Sequence, residues 1–254
     1  MLILISNDDG INAPGIHALA EAATGLGEVW VCAPATEQSA KSHGLTMHDP
    51  LRVHEHGPRW FSITGTPADA TYMGLVHILP RMPDIVISGI NRGSNLGSDV
   101  HYSGTVAAAR EAALKGLPAL ATSLYITDWG KQTPFHYSDA AQVTIEVARA
   151  LLADPLPTGI FLNLNVPDLP RDQIKGVRSA AIGERLYESR VVTSRDPRGK
   201  PYYWIGGPSR GFAGAPDTDG KLLEAGFAAV SPLTLDPTAH HALGQVGAWF
   251  GKDR

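Results

Sequence analysis

The sequence contains one cysteine, Cys32, so no intramolecular disulfide can form. That residue lies inside the apolar run Val29 to Ala33, where a thiol reads as part of the core rather than as a reactive group. Long hydrophobic stretches are also missing. The opening run Leu2 to Ile5 is too short for a signal-peptide core or a membrane span, and acidic residues follow at once, which points to a cytoplasmic protein with no membrane contact. Basic charge is not in excess either: 21 Lys and Arg stand against 25 Asp and Glu, a net charge of -4. No wide positive field is therefore available to attract a nucleic acid polymer, although a small phosphorylated ligand can still be gripped locally. Of the 10 histidines, no pair shows a His-x-x-x-His spacing on a helical segment, so the cluster His43, His48, His54 and His56 reads as surface or loop rather than as a zinc site.

What is present is a globular composition, 43% hydrophobic and 18% charged, over 254 residues, enough for one large domain with a sizeable core. Short apolar runs alternate with helical patterns through the first half. Strands are predicted over Leu2 to Ser6, Val29 to Ala33, Trp60 to Ile63, Ile85 to Gly89, Ala119 to Leu124 and Ile160 to Val166. Their apolar positions are consecutive rather than alternating, as in parallel strands covered by helices on both faces. Between them, Ile16, Leu19, Ala20, Ala23 and Leu26 recur at helical spacing, and Thr66-Pro67 forms a helix start. A further helix is predicted from Thr105 to Lys115, stopped by Gly116, and a longer one capped by Ser138 or Asp139. The expected fold class is α/β, a mostly parallel sheet over residues 1–167. Beyond Pro167, frequent Pro and Gly predict an irregular appendage over 168–254, with Asp196-Pro197-Arg198-Gly199 as a turn between two strands.

Two segments carry chemistry. Asn7-Asp8-Asp9-Gly10 follows directly on the first strand, which places two adjacent carboxylates at the carboxyl end of a parallel strand, the edge where open α/β sheets bind ligands. Two readings stand: a polar turn shaped by Asn, Asp and Gly, or a cation site relieving the repulsion of two carboxylates about 4 Å apart. The second segment is Ser88 to Asp99, rich in Gly, Ser and Asn, continued by Tyr102-Ser103-Gly104-Thr105 at a helix start. Glycines let backbone N–H groups approach an anion, and a helix amino terminus adds a positive dipole end, so this stretch suits a phosphate. It contains neither a Walker loop nor a dinucleotide fingerprint. The loop after the second strand, Pro34 to His43 with Ser39, is by itself bland.

These pieces resemble the SurE family (stationary-phase survival protein) in order and spacing, and so do Asn163-Leu164-Asn165-Val166-Pro167, Tyr202-Tyr203-Trp204 and Thr218-Asp219. The resemblance spans nearly the whole chain. It implies a Rossmann-like core and hydrolysis of nucleoside 5′- and 3′-monophosphates. It also implies one divalent cation held by Asp8, Asp9, Ser39 and Asn95, and a C-terminal region that joins subunits into a homodimer or homotetramer. An all-oxygen ligand set suits Mg²⁺ or Mn²⁺. In that reading Asn91, Ser103 and the amides of Gly104 and Thr105 hold the phosphate while water attacks, with Asp8 and Asp9 as the catalytic carboxylates. The rivals are an aspartyl-phosphate mechanism through Asp8, and a protein that binds a nucleotide without hydrolysing it.

Overall fold

The computed structural model describes residues 1–130, 134–188, 190–207 and 209–251. The chain begins with β1 (Leu2–Ser6), α1 (Pro14–Ala23) and β2 (Glu28–Pro34). It continues through β3 (Val53–Gly57), β4 (Trp60–Ile63), α2 (Pro67–Met73), β5 (Ile85–Arg92), α3 (Gly104–Leu114), β6 (Ala119–Tyr125), α4 (Tyr137–Ala153) and β7 (Ile160–Pro167). After Pro167 come β8 (Val177–Ser179), β9 (Glu184–Tyr187), β10 (Val191–Arg195), β11 (Pro201–Ile205), β12 (Ser209–Ala213), α5 (Asp219–Glu224), β13 (Ala228–Thr234) and α6 (Leu243–Trp249).

Nine strands form one sheet in the order β3-β4-β2-β1-β5-β6-β7-β13-β8. From β4 to β7 all neighbours are parallel, and β3 and β13 run antiparallel to β4 and β7. The chain builds outward from β1 to one side through β2 and β4, then returns to the other side of β1 with β5, β6 and β7. The order thus reverses between β1 and β5, and a crevice opens there at the carboxyl ends of the strands. Two cores cover the sheet: one joins Ile3, Ile5, Ile87 and Leu120 to α1 and α4, the other joins Leu4, Cys32, Val86 and Phe161 to α2 and α3. Burial on both faces is why these strands are apolar at every position.

Local signals explain most boundaries. Thr66 accepts a hydrogen bond from the Asp69 amide while Asp69 accepts one from the Thr66 amide, a reciprocal cap of a kind worth about 1 kcal/mol. Gly116, just past α3, takes the left-handed conformation (φ 75°) that ends a helix. Cys32 is buried, its thiol donates to the Ala70 carbonyl, and burial pushes its pKa up to about 12, the profile of a core thiol.

Four expectations need correction. Ser138 and Asp139 do not cap α4, which starts at Tyr137 with His136 at the N-cap position; Asp139 instead accepts from the Arg171 amide at 3.0 Å. The strand predicted to end at Gly89 continues to Arg92, its register with β6 shifting between Ser88 and Asn91, so Asn91 and Arg92 belong to β5 rather than to a loop. The segment after Pro167 is not all irregular, because β13 and β8 extend the central sheet, while β10–β11 and β9–β12 form separate two-stranded ribbons. Residues 196–199 form the turn of the β10–β11 hairpin, as predicted. Finally, His43 is not a bare loop histidine: it pairs with the buried Glu111 of α3 at 2.9 Å.

Candidate active site at the switch point

Asp8 and Asp9 leave β1 at the point where the strand order reverses, and two different elements claim their side chains. The Asp8 carboxylate is 4% exposed and accepts the Thr105 hydroxyl at the amino end of α3. Helix α3 can come this close because position 104 is glycine: a Cβ there would lie 2.8 Å from the Asp8 Cβ. The Asp9 carboxylate turns to the neighbouring strand and accepts the Arg92 amide at 2.8 Å. Among the described residues neither carboxylate forms an ion pair with a Lys, Arg or His side chain.

That arrangement has an electrostatic signature. Burial raises the Asp8 pKa to about 7; the Thr105 hydroxyl works against the rise and the Asp9 charge adds to it. Asp9 is also raised, chiefly by loss of solvation, with the Arg92 amide opposing and the Glu37 charge reinforcing. The Arg92 charge offsets Asp9 in part, but two desolvated carboxylates in sequence with no ion pair to either remain costly in a metal-free protein.

Ser39 reaches the same edge through its loop. The Gln38 amide donates to the Asp8 carbonyl at 2.7 Å, the Ser42 amide to the Tyr102 carbonyl at 2.9 Å, and Thr46 donates twice to Asp69. The Ser39 side chain is exposed, donates to Glu37 Oε1 at 2.8 Å and shares a cavity with Asp9. Asn95 is placed by β6 and β7 rather than by β1. Its Nδ2 donates to Ser123 Oγ at 2.7 Å, its amide to Asn165 Oδ1 at 2.8 Å, and its carbonyl accepts from Asn163 and Asn165 at 2.9 and 3.0 Å. With Nδ2 engaged by Ser123, the carbonyl oxygen Oδ1 is the end of the amide left for a ligand.

The expected phosphate-holding residues lie at this edge with partners of their own. Ser103 Oγ accepts the Val106 amide as the N-cap of α3, which leaves its O–H free to donate. Asn91 Nδ2 donates to the Gly93 carbonyl at 2.7 Å. Gly104 sits in the first turn of α3, packed on Asp8. Thr105 lies in the first turn of α3, and its hydroxyl is engaged by the Asp8 carboxylate.

Several residues of this region escaped the sequence reading as site residues. Asn163 and Asn165 are buried in β7 and clamp the Asn95 backbone. Two amides two apart on one face of an otherwise apolar strand were the signal that could have found them. Asp219 is 1% exposed and accepts from the Gly97 and Gly183 amides, both at 2.9 Å, tying the same loop to the C-terminal segment. Glu37 and Arg92 carried no signal beyond being charged residues near strand ends.

Among the described residues no three His, Cys, Asp or Glu side chains come together in a group able to hold a metal ion. A cation at this site would have to complete its shell from the two carboxylates with neutral oxygens.

Fold and site together define a doubly wound α/β protein with paired carboxylates at its switch point, the buried Asp8 facing the amino end of a helix and the half-buried Asp9 facing β5. The family described as Survival protein SurE matches residues 3–189, and the chain belongs to the SurE family. It is 46% identical over 249 residues to a 5′-nucleotidase SurE of Geotalea daltonii, covering 98% of this chain and 99% of that protein. It is 48% identical over 251 residues to a 5′/3′-nucleotidase SurE of Erwinia tasmaniensis, covering 98% and 96%. The crystal structure of the SurE protein from Aquifex aeolicus superposes with a TM-score of 0.86 at 36% identity, over 98% of this chain and all of that one.

Proposed function

We propose that the chain is a metal-dependent phosphatase that hydrolyses nucleoside 5′- and 3′-monophosphates to nucleoside and inorganic phosphate, a reading supported by relatives at 46% and 48% identity that are named 5′-nucleotidase and 5′/3′-nucleotidase. The observation that carries this reading is the adjacent pair Asp8 and Asp9, Asp8 buried against the amino end of α3 and Asp9 half-buried at the cavity, both raised by loss of solvation and neither in an ion pair among the described residues. The donor chemistry fits a hard dication such as Mg²⁺ or Mn²⁺: two carboxylates, the Asn95 amide oxygen and the Ser39 hydroxyl are all oxygen donors. When bound, such an ion supplies Lewis-acid polarisation of a phosphoryl oxygen and a more acidic water.

The chain's own residues supply the rest. The first turn of α3 and the Ser103 O–H offer donors to phosphoryl oxygens, and the helix dipole favours the negative charge there. Thr105 fixes the orientation of Asp8. Asn163, Asn165 and Asp219 hold the loop of Asn95 in place from β7 and α5. Asp9, facing the cavity, is placed to take a proton from the attacking water. The two acids are adjacent, without the intervening residue usual when a strand-end Asp acts as nucleophile, and this favours direct attack by water over an aspartyl-phosphate.

The test is a panel of phosphomonoesters with and without EDTA. Release of inorganic phosphate from nucleoside monophosphates, abolished by EDTA and restored by Mg²⁺ or Mn²⁺, is the expected result. Tight nucleotide binding with no phosphate release in any metal would establish the binding-protein alternative.

The assembly reading is a homo-oligomer joined through the segment after Pro167. The β10–β11 hairpin leaves Tyr203 62%, Trp204 66% and Ile205 94% exposed, an apolar patch of the kind that marks interfaces. Light scattering at micromolar concentration should return at least twice the 27.0 kDa chain mass, and a monomer would refute this reading. No helix among the described residues is long and apolar enough to cross a membrane.

A further inference from the structure

Asp9 forms part of the wall of a cavity of about 390 Å³ that is also lined by Glu37, Arg92, Trp129 and Tyr137. We propose that this cavity is the base-binding subsite of the nucleotide site, with the nucleobase lying flat on the indole of Trp129 while the phosphoryl group sits at Asp8 and Asp9. The inference rests on the phosphatase reading above and adds to it a specificity-determining residue.

Three observations carry it. The first is the exposure of Trp129: the indole is 57% exposed at the cavity, where leaving a large aromatic surface in water is unfavourable unless something covers it. The second is its fixation. The Arg92 guanidinium lies 5.6 Å from the Trp129 ring centroid and 5.6 Å from that of Phe135, held between two rings. The indole also packs on Gly93, where a Cβ would come within 3.3 Å of it. Arg92 is the residue whose amide binds the Asp9 carboxylate, so one residue ties the aromatic wall to the catalytic edge. The indole is thus already positioned before any ligand arrives, which lowers the cost of stacking on it.

The third observation is the charge around the cavity, which selects the neutral end of a nucleotide. Asp9 and Glu37 both face this space, and Ser39 donates to Glu37. A second phosphate placed here would meet the Asp9 and Glu37 carboxylates, whereas the cation in the lining, Arg92, already lies against two aromatic rings and acts on Asp9. A nucleobase has a π-face and no charge, and a volume of this size lies within the range of small-molecule sites. Stacking on an indole tolerates every base, because each offers such a face. The subsite therefore favours nucleotides over base-free phosphate esters without selecting sharply among the four bases.

The test compares adenosine 5′-monophosphate with ribose 5-phosphate, which lacks the base, in the parent chain and in Trp129→Ala and Trp129→Phe. The expected result is a fall of roughly tenfold in the ratio of kcat/KM for the nucleotide to that for the sugar phosphate in Trp129→Ala, carried by KM, with most of it regained in Trp129→Phe. A ratio unchanged in Trp129→Ala, whether both substrates lose equally or neither loses, overturns the subsite. If the parent chain releases phosphate from neither ester, the phosphatase reading fails, and the subsite is then judged by calorimetric titration with adenosine 5′-monophosphate. Binding weakened roughly tenfold by Trp129→Ala supports it. Equal binding, or none to the parent, overturns it.

Discussion

Replacing Asp8 or Asp9 by Asn is expected to reduce phosphate release from nucleoside monophosphates by roughly a thousandfold or more while leaving the fold intact. The substitution keeps side-chain size and removes the charge that a cation needs, and an amide is a poor substitute in a set of only two carboxylates. Metal catalysis supplies several kcal/mol of barrier lowering, and each 1.36 kcal/mol is about tenfold in rate, which sets the scale of the loss. Both variants should keep their local contacts. At position 8 the amide can still accept the Thr105 hydroxyl, so the amino end of α3 stays docked. At position 9 it can still accept the Arg92 amide. Neither variant should therefore lose secondary structure by circular dichroism, and the defect should appear in kcat. If Asp8 and Asp9 merely shaped a turn, the variants would lose stability and keep their activity per folded molecule. A folded Asp8→Asn protein with near-parental phosphatase activity would remove the proposed mechanism.

How much of this was legible in the sequence depended on burial. Strands β1, β2, β4, β6 and β7 are covered by helices on both faces, and their unbroken apolar runs located them to within a residue or so. β3 could not be read that way: its residues Val53, His54, Glu55 and His56 are exposed on the edge of the sheet, where pairing with β4 alone makes the strand. β13 was hidden by Pro232, a residue that normally argues against a central strand. It is tolerated because β8 pairs only with Ala228, Ala229 and Val230, so on the β8 side Pro232 has no partner that needs its missing N–H. In the site, the position of Asp8 and Asp9 at the carboxyl end of a strand, and of Ser103 just before a helix, was legible from the local pattern, whereas their roles came from the family resemblance. Trp129 and Arg92 were not legible, since their meaning lies in a juxtaposition of β5 with the segment after β6 that no local pattern encodes. Thr105 was placed correctly at the helix start, but the contact of its hydroxyl with Asp8 joins residues 97 positions apart and has no local signal.

The metal-free protein should become less stable between about pH 5 and pH 7.5, and Asp8→Asn should remove much of that loss. The folded-state pKa of Asp8 is raised from 3.8 to about 7. Below the unfolded value both states hold the proton and Asp8 contributes nothing. Between the two values the unfolded chain releases the proton while the folded protein keeps it, so stability falls as pH rises, and above pH 7 the full penalty is present. A shift of about 3 units sets a ceiling near 4 kcal/mol at about 1.36 kcal/mol per unit. Asp9, raised in the same direction, adds to the trend. At about 2–4 °C per kcal/mol for a chain of this size, the melting temperature of the parent should drop by roughly 5–10 °C relative to Asp8→Asn across that window. Asp84 and Asp236 do not interfere, because their pKa values are lowered and act at more acidic pH. Adding Mg²⁺ or Mn²⁺ at pH 7.5 should reverse the loss in the parent and do much less for Asp8→Asn, since a ligand that binds only the folded state raises its stability by mass action. Thermal scans in EDTA across the pH series, repeated with each cation, measure both effects. Parallel curves for parent and variant, unresponsive to either metal, would mean that Asp8 is neither a strained buried acid nor a ligand.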